Sequence, residues 1–179
     1  MIIYCSCTYL PVGFEAIFAI LHFLNKPANI KVAIFIIQQI KKMKSIEHIG
    51  IAVKDLEAAN KIYETLLGVA PYKREEVERE GVITSFFKIG ESKIELLTAT
   101  NNDSPIAKFI EKRGEGIHHI AFLVTDIDSE ISRLENEGFV LISKEAKKGA
   151  DNKLVAFLHP KSVNGVLVEL CQEGTITSR

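Results

Sequence analysis

A repeat constrains this chain more than any other feature. IEHIGIAVKDLEAANKIYETLLGV (Ile46 to Val69) can be laid over IHHIAFLVTDIDSEISRLENEGFV (Ile117 to Val140). Ile46 then meets Ile117, His48 meets His119, Ile49 meets Ile120, Val53 meets Val124 and Asp55 meets Asp126. Self-similarity at a fixed offset means one supersecondary unit used twice. Each copy opens with a strand of about eight residues, as its density of β-branched residues predicts. An aspartate follows, placed to cap a helix. The helix is amphipathic, with Leu56, Ala59, Ile62, Tyr63, Leu66 and Leu67 in the first copy and Ile127, Ile131 and Leu134 in the second. Gly68 and Gly138 end these helices.

Three further strands are expected in each copy. They are Pro71 to Val77, Val82 to Ile89 and Lys93 to Thr98 in the first, and Val140 to Lys144, Lys153 to Leu158 and Gly165 to Cys171 in the second. The turn signals Ile89-Gly90-Glu91-Ser92, Gly149-Ala150-Asp151-Asn152 and Asn164-Gly165 separate them. Each half is therefore β-α-β-β-β, an α+β class. Between them, residues 104–113 read as a linker helix, with Ser104 as cap, Pro105 in the first turn and Gly114 as stop. The modules span residues 45–98 and 117–173, within one domain over 45–173. One helix covers one face of a four-stranded sheet, so two modules joining their sheets would enclose a cleft.

Alternation along a strand sorts the histidines. His48, Gly50 and Ala52 share a face, as do His119 and Ala121. The bulky Ile49, Ile51, Val53, Ile120, Phe122 and Val124 take the other face and suit helix packing. The histidine face is lined by small residues and has room. His118 has Glu47 as its counterpart, and alternation places it on the side away from His119. The last strand of each copy holds a lone carboxylate, Glu95 in KIELL and Glu169 in VLVEL. A glutamate in an apolar run is costly to bury unless it is paired or bound to a metal. Two histidines and two carboxylates at symmetric positions make a nitrogen–oxygen site for a divalent ion, open to Mn, Co, Fe, Ni or Zn. The competing reading is a pair of core histidines bonded to backbone.

Other signals are weaker. Lys73, Arg74 and Arg79 lie in the mixed charge run KREEVERE, which reads as an exposed face, and Lys147, Lys148, Lys153 and Lys161 read as solvated surface near the second module's loops. The glycines form no phosphate-cradling motif. Cys5, Cys7 and Cys171 lack the spacing of a disulfide framework or a cysteine zinc site, so a reducing compartment is expected. Cys171 is placed outside the metal shell. With 47% apolar and 25% charged residues and a net charge of −1, the chain is an ordinary globular protein and no nucleic-acid partner is expected. Residues 1–43 differ from the rest: they are apolar, with four lysines against one glutamate. They read as a membrane or targeting element, as a helical appendage, or as sequence ahead of a true start at Met43. The abrupt onset of clean patterning at Ser45 favours the last, while contact of residues 1–43 with a membrane stays open.

From about Ser45 to Glu173 the chain resembles the methylmalonyl-CoA epimerases of the vicinal oxygen chelate superfamily. IEHIGIAVKDLEAANKIYETLLG, SKIELL, DSPIAKFIEKRGEGIHHIAF, AFLHPKS and NGVLVELCQ carry the resemblance. It implies paired βαβββ modules forming a vicinal oxygen chelate fold with a metal-binding cleft, a divalent metal (Co2+ favoured, with Mn2+, Zn2+, Ni2+ or Fe2+ also compatible) and a homodimer. The metal positions of the family fall on His48, Glu95, His119 and Glu169. The second is glutamine in some members, so this site is more anionic. The implied substrate is methylmalonyl-CoA, epimerised at C2 through an enolate, in the cytoplasm or, in a eukaryote, the mitochondrial matrix. Inversion calls for two acid–base groups. Glu169 is the candidate catalytic residue for one. Where some members carry a further carboxylate this chain has Thr84, which leaves the second unassigned. A glyoxalase- or dioxygenase-like enzyme, or a metal-free binding protein of the same fold, are the alternatives.

Overall fold

The computed structural model describes residues 43–174. The apolar segment expected ahead of Met43 lies outside the described residues. The first module runs β1 (Ser45–Ala52), α1 (Leu56–Leu67), β2 (Lys73–Val77), β3 (Val82–Ile89) and β4 (Ser92–Ala99). Helix α2 (Pro105–Arg113) links it to β5 (Gly116–Leu123), α3 (Ile127–Asn136), β6 (Lys147–Lys148), β7 (Lys153–Leu158) and β8 (Val168–Glu173). All eight strands form one sheet in the order β2-β3-β4-β1-β5-β8-β7-β6. The order is the same read outward from the centre in both directions: β1 pairs parallel with β4, β5 parallel with β8, and β1 antiparallel with β5. The paired-module expectation holds, with the two halves fused edge to edge at the two histidine-bearing strands.

Local chemistry sets the element ends. Asp55 accepts from the Ala58 N–H and Asp126 from the Ser129 N–H, each filling a donor at a helix start that has no partner inside the helix. Gly68 closes α1 in the left-handed region at φ 69°. In α2 the Ser104 hydroxyl caps the Ile106 N–H, and Pro105 occupies the first turn.

Helices α1 and α3 pack on the outer faces of their own half-sheets, while Ile106, Phe109 and Ile110 of α2 pack with Ala52, Val82 and Leu97 on the inner, histidine-bearing side. Val53, Leu56, Ala59, Phe87 and Leu96 form one core, and Val124, Ile127, Ile131, Leu134, Val168 and Leu170 belong to the other. The bulky strand positions therefore face the helices as alternation requires. Two expectations fail. Ile62 and Leu66 are 64% and 70% exposed, because the apolar stripe of α1 is wider than the sheet face under it. Val140 to Lys144 is not a strand. Leu141 makes a single bridge to Leu158, and Ile142 donates to the Phe157 carbonyl. The chain then turns at Ser143, whose hydroxyl donates to the Glu145 carbonyl. The edge strand forms only at Lys147–Lys148.

Candidate metal centre

The four expected ligands reach one point from the four central strands. In a flat sheet β4 and β8 would lie about 14 Å apart, three strand spacings. Yet the carboxylates of Glu95 and Glu169 both approach the same histidine nitrogen, so the sheet curls around its inner face. His48 Nε2 lies 2.9 Å from His119 Nε2, 3.2 Å from Glu95 Oε2 and 3.8 Å from Glu169 Oε2. His119 Nε2 lies 3.5 Å from Glu95 Oε2 and 3.1 Å from Glu169 Oε2. Donors each about 2.1 Å from one cation sit about 3.0 Å apart at right angles and about 3.4 Å apart at the tetrahedral angle. The five distances bracket those values. Two imidazole nitrogens at 2.9 Å also need a proton or a cation between them. All four residues are at most 5% exposed, so their charges are withheld from water.

The electrostatics agree. Burial disfavours charge on His48, but hydrogen bonds to Glu47 and Glu95 and the Glu95 and Glu169 charges outweigh it and raise its pKa to about 10. Burial likewise opposes His119, and Glu169 and Glu95 carry it upward. Burial would raise Glu95, yet His119 and His48 hold it well below the usual carboxylate range. The cluster attracts positive charge, which protons supply here and which a divalent ion could supply on the same donors.

His118 is not where alternation put it. The β1–β5 register steps from Ile46↔Phe122 to His48↔Ala121, and again from Gly50↔His119 to Ile51↔Ile117. Glu47 is thus the extra residue of one bulge and His118 of another, one on each central strand. A bulge re-aims a side chain, and both residues line the same cavity as the ligands. Glu47 Oε2 is 2.5 Å from His48 Nδ1, and His118 Nδ1 is 2.9 Å from His119 Nδ1. Burial would raise the Glu47 carboxyl, but His48 and Lys93 hold it at about 2. Burial and the His119 charge push His118 down to about 4, so it is neutral at pH 7 and able to accept.

Other residues surround the four candidate ligands. Cys171 sits beside the ligands, and its thiol donates to Glu169 Oε1 at 2.9 Å. Burial and the Glu169 charge push that thiol far up, so it stays protonated. Thr84, in the place of the family's carboxylate, donates to Glu95 Oε1 at 2.8 Å. Lys153 is buried rather than solvated, and pairs with Glu47 at 3.3 Å and with Glu173. Lys73 and Lys93 both reach Asp151, at 3.2 and 2.7 Å, and Tyr72 donates to it at 3.0 Å, so the 149–152 turn of the second module clasps the β2 edge of the first. Under this clasp lies a cavity of about 360 Å³, with the four candidate ligands on its wall beside apolar Val82, Phe86, Leu97, Ile106, Ile142 and Phe157. That volume suits a small acyl group. The sequence marked Thr84 and Cys171 by name, and Glu47 could have been suspected as an acid beside a histidine.

Residues 47–157 match the glyoxalase/bleomycin resistance protein/dioxygenase superfamily, and the chain belongs to it. A Cereibacter sphaeroides ethylmalonyl-CoA/methylmalonyl-CoA epimerase is 46% identical over 71% of this chain and 96% of its own. The human mitochondrial methylmalonyl-CoA epimerase is 41% identical over 71% of this chain and 73% of its own. A Streptomyces coelicolor methylmalonyl-CoA epimerase variant, solved with 2-nitronate-propionyl-CoA, superposes with a TM-score of 0.72 at 35% identity, covering 77% of this chain and all of that one. Within the superfamily, the chain belongs to the methylmalonyl-CoA epimerases.

Proposed function

We propose that this chain is an isomerase interconverting (R)- and (S)-methylmalonyl-CoA by proton transfer at C2, with a divalent ion held by His48, Glu95, His119 and Glu169. The observation that carries the proposal is the convergence of those four donors on one point in the wall of a small, mostly apolar cavity. Resemblance favours Co2+, and the nitrogen–oxygen donor set suits Mn2+, Zn2+, Ni2+ or Fe2+ as well. When bound, the ion supplies Lewis-acid stabilisation for negative charge developing on the thioester oxygen.

The chain's own residues supply the rest. The apolar wall excludes bulk water from the acyl end. Glu169 takes the C2 proton as the C–H bond breaks and its electron pair moves toward the thioester oxygen. The pair then returns to C2, which takes a proton from a water on the opposite face. The proton on Glu169 passes to the hydroxide left behind, so the centre is inverted and the carboxylate restored. Cys171 orients the carboxylate by donating to Oε1, while Oε2 faces His119. Thr84 steadies Glu95 and is spent on that bond, so it does not serve as the second acid–base group.

The test is deuterium uptake at C2 of methylmalonyl-CoA, with the ion added and removed. Glu169→Gln keeps a ligand oxygen but removes the base. At saturating ion its exchange should fall on the order of 10²–10⁴-fold, the usual contribution of such a group. Exchange near the wild-type rate would make Glu169 a ligand only. A need for glutathione, or for O₂ with Fe(II), would point instead to a glyoxalase- or dioxygenase-like enzyme. We further propose a homodimer, supported by the uncovered Ile62 and Leu66 ridge and checked by sedimentation, working in the cytoplasm or mitochondrial matrix. Among the described residues no helix is long and apolar enough to cross a membrane.

A further inference from the structure

The two bulges are related by the repeat, and so is what they do. Each inserts one residue immediately before a candidate ligand histidine and turns its side chain to the ring's Nδ1, the nitrogen that faces away from the other ligands. On β1 the inserted residue is Glu47, 2.5 Å from His48 Nδ1. On β5 it is His118, 2.9 Å from His119 Nδ1. A histidine can offer the Nε2 lone pair to a cation only while Nδ1 carries the proton, and a hydrogen-bond acceptor at Nδ1 enforces that tautomer. We infer that Glu47 and His118 are positioning residues, each taking the Nδ1–H of the next histidine and so presenting its Nε2 to the metal. The inference rests on the metal reading of the site.

The two partners are chemically unequal, so the two ligands are too. Glu47 is a carboxylate held in place by Lys93, 2.5 Å from Oε1, and by Lys153, 3.3 Å from it. A charged acceptor makes the stronger hydrogen bond and the more basic imidazole. His118 brings an imidazole nitrogen rather than a carboxylate, and its ring is braced edge-on by Phe109 with ring centroids 5.0 Å apart. The lysines also argue against a second cation on Glu47, His48 and Cys171, whose ligating atoms lie within 4.8 Å of one another. Two ammonium groups already neutralise the carboxylate.

The experiment is chelator-competition titration of the full chain with Co2+, following its visible absorption, together with long-range ¹H–¹⁵N spectra of the histidine rings in the Zn2+-loaded protein. Failure of the wild type to bind either ion would sink the metal reading itself. Given wild-type binding, Glu47→Ala should weaken affinity about 10–100-fold, as loss of such a partner does elsewhere. It should also shift the Co2+ spectrum and remove the fixed Nδ1–H signal of His48. His118→Ala should weaken binding by less than Glu47→Ala does. Glu47→Ala also strips a negative charge from the neighbourhood, so Glu47→Ala with Lys93→Ala serves as the charge-neutral variant. It should remain at least 10-fold weaker than wild type. Recovery of wild-type affinity in the double variant, or an unchanged spectrum and tautomer in Glu47→Ala, would overturn the inference. Circular dichroism of the metal-free variants checks that each is folded, and the double variant is decisive if Glu47→Ala alone is not.

Discussion

Gly50 faces His119 directly across the β1–β5 pair, and its lack of a side chain is what lets that ring reach the centre. A Cβ placed on Gly50 would lie 2.2 Å from His119 Cε1, 2.5 Å from Nδ1 and 2.6 Å from Nε2. Carbon contacts settle near 3.5 Å, so Gly50→Ala must displace the ring by on the order of 1 Å. A metal site tolerates only about 0.2 Å in its bond lengths. The ring can relieve the clash by swinging about its own side-chain bonds, which keeps the fold cost near the low end of the roughly 1–3 kcal/mol usual for overpacking. That same swing removes Nε2 from the shell. Gly50→Ala should therefore fold with a modest loss of stability and yet lose metal about as badly as His119→Ala. Ion retained after desalting, read against the melting temperature of the metal-free protein, measures both. In a His119→Ala background the second substitution should cost no further affinity, since there is no ring left to displace. Wild-type affinity and C2 exchange in Gly50→Ala would refute the close-approach argument.

His48→Ala or His119→Ala should each remove most bound divalent ion, whereas Glu95→Gln, which keeps an oxygen donor and the Thr84 contact, should retain substantial turnover; metal analysis beside the exchange assay checks both. In the metal-free protein the folded-state pKa of His48 is raised from 6.5 to about 10, so its contribution to stability is complete below about pH 6.5 and lost as pH rises through 10. The metal-free melting temperature should accordingly fall between pH 7 and 10, and a melting temperature that holds steady over that range would count against a charged His48. A chain beginning at Met43 should fold and keep its exchange activity, with loss of soluble protein on truncation the contrary result. Asp151→Ala should open the clasp on β2, costing about 1.5–3 kcal/mol for its charged hydrogen bonds, as denaturant melts would show.

The repeat, the β-α-β-β-β order, the helix caps and the four convergent donors were all legible along the chain. They rest on local periodicity and on short-range capping chemistry, which a single segment carries by itself. Asp55 and Asp126 cap their helices whatever packs around them. His48, Glu95, His119 and Glu169 share a face because alternation holds wherever strand pairing is regular. The sequence by itself thus determined the fold class and the face that the four side chains share.

The tertiary structure decided what depends on register between distant strands. Alternation sent His118 to the wrong side because a bulge is a property of a strand pair, and neither β1 nor β5 alone announces that it carries an extra residue. The same holds for Glu47, whose place behind His48 follows from its bulge and from lysines on β4 and β7. Cys171 joined the site because β8 runs on to Glu173, past the expected strand end, so alternation keeps its thiol on the Glu169 face. Val140 to Lys144 failed as a strand, and the edge strand formed later. Ile62 and Leu66 were left uncovered because only the width of the sheet beneath a helix limits how much of its apolar stripe is buried.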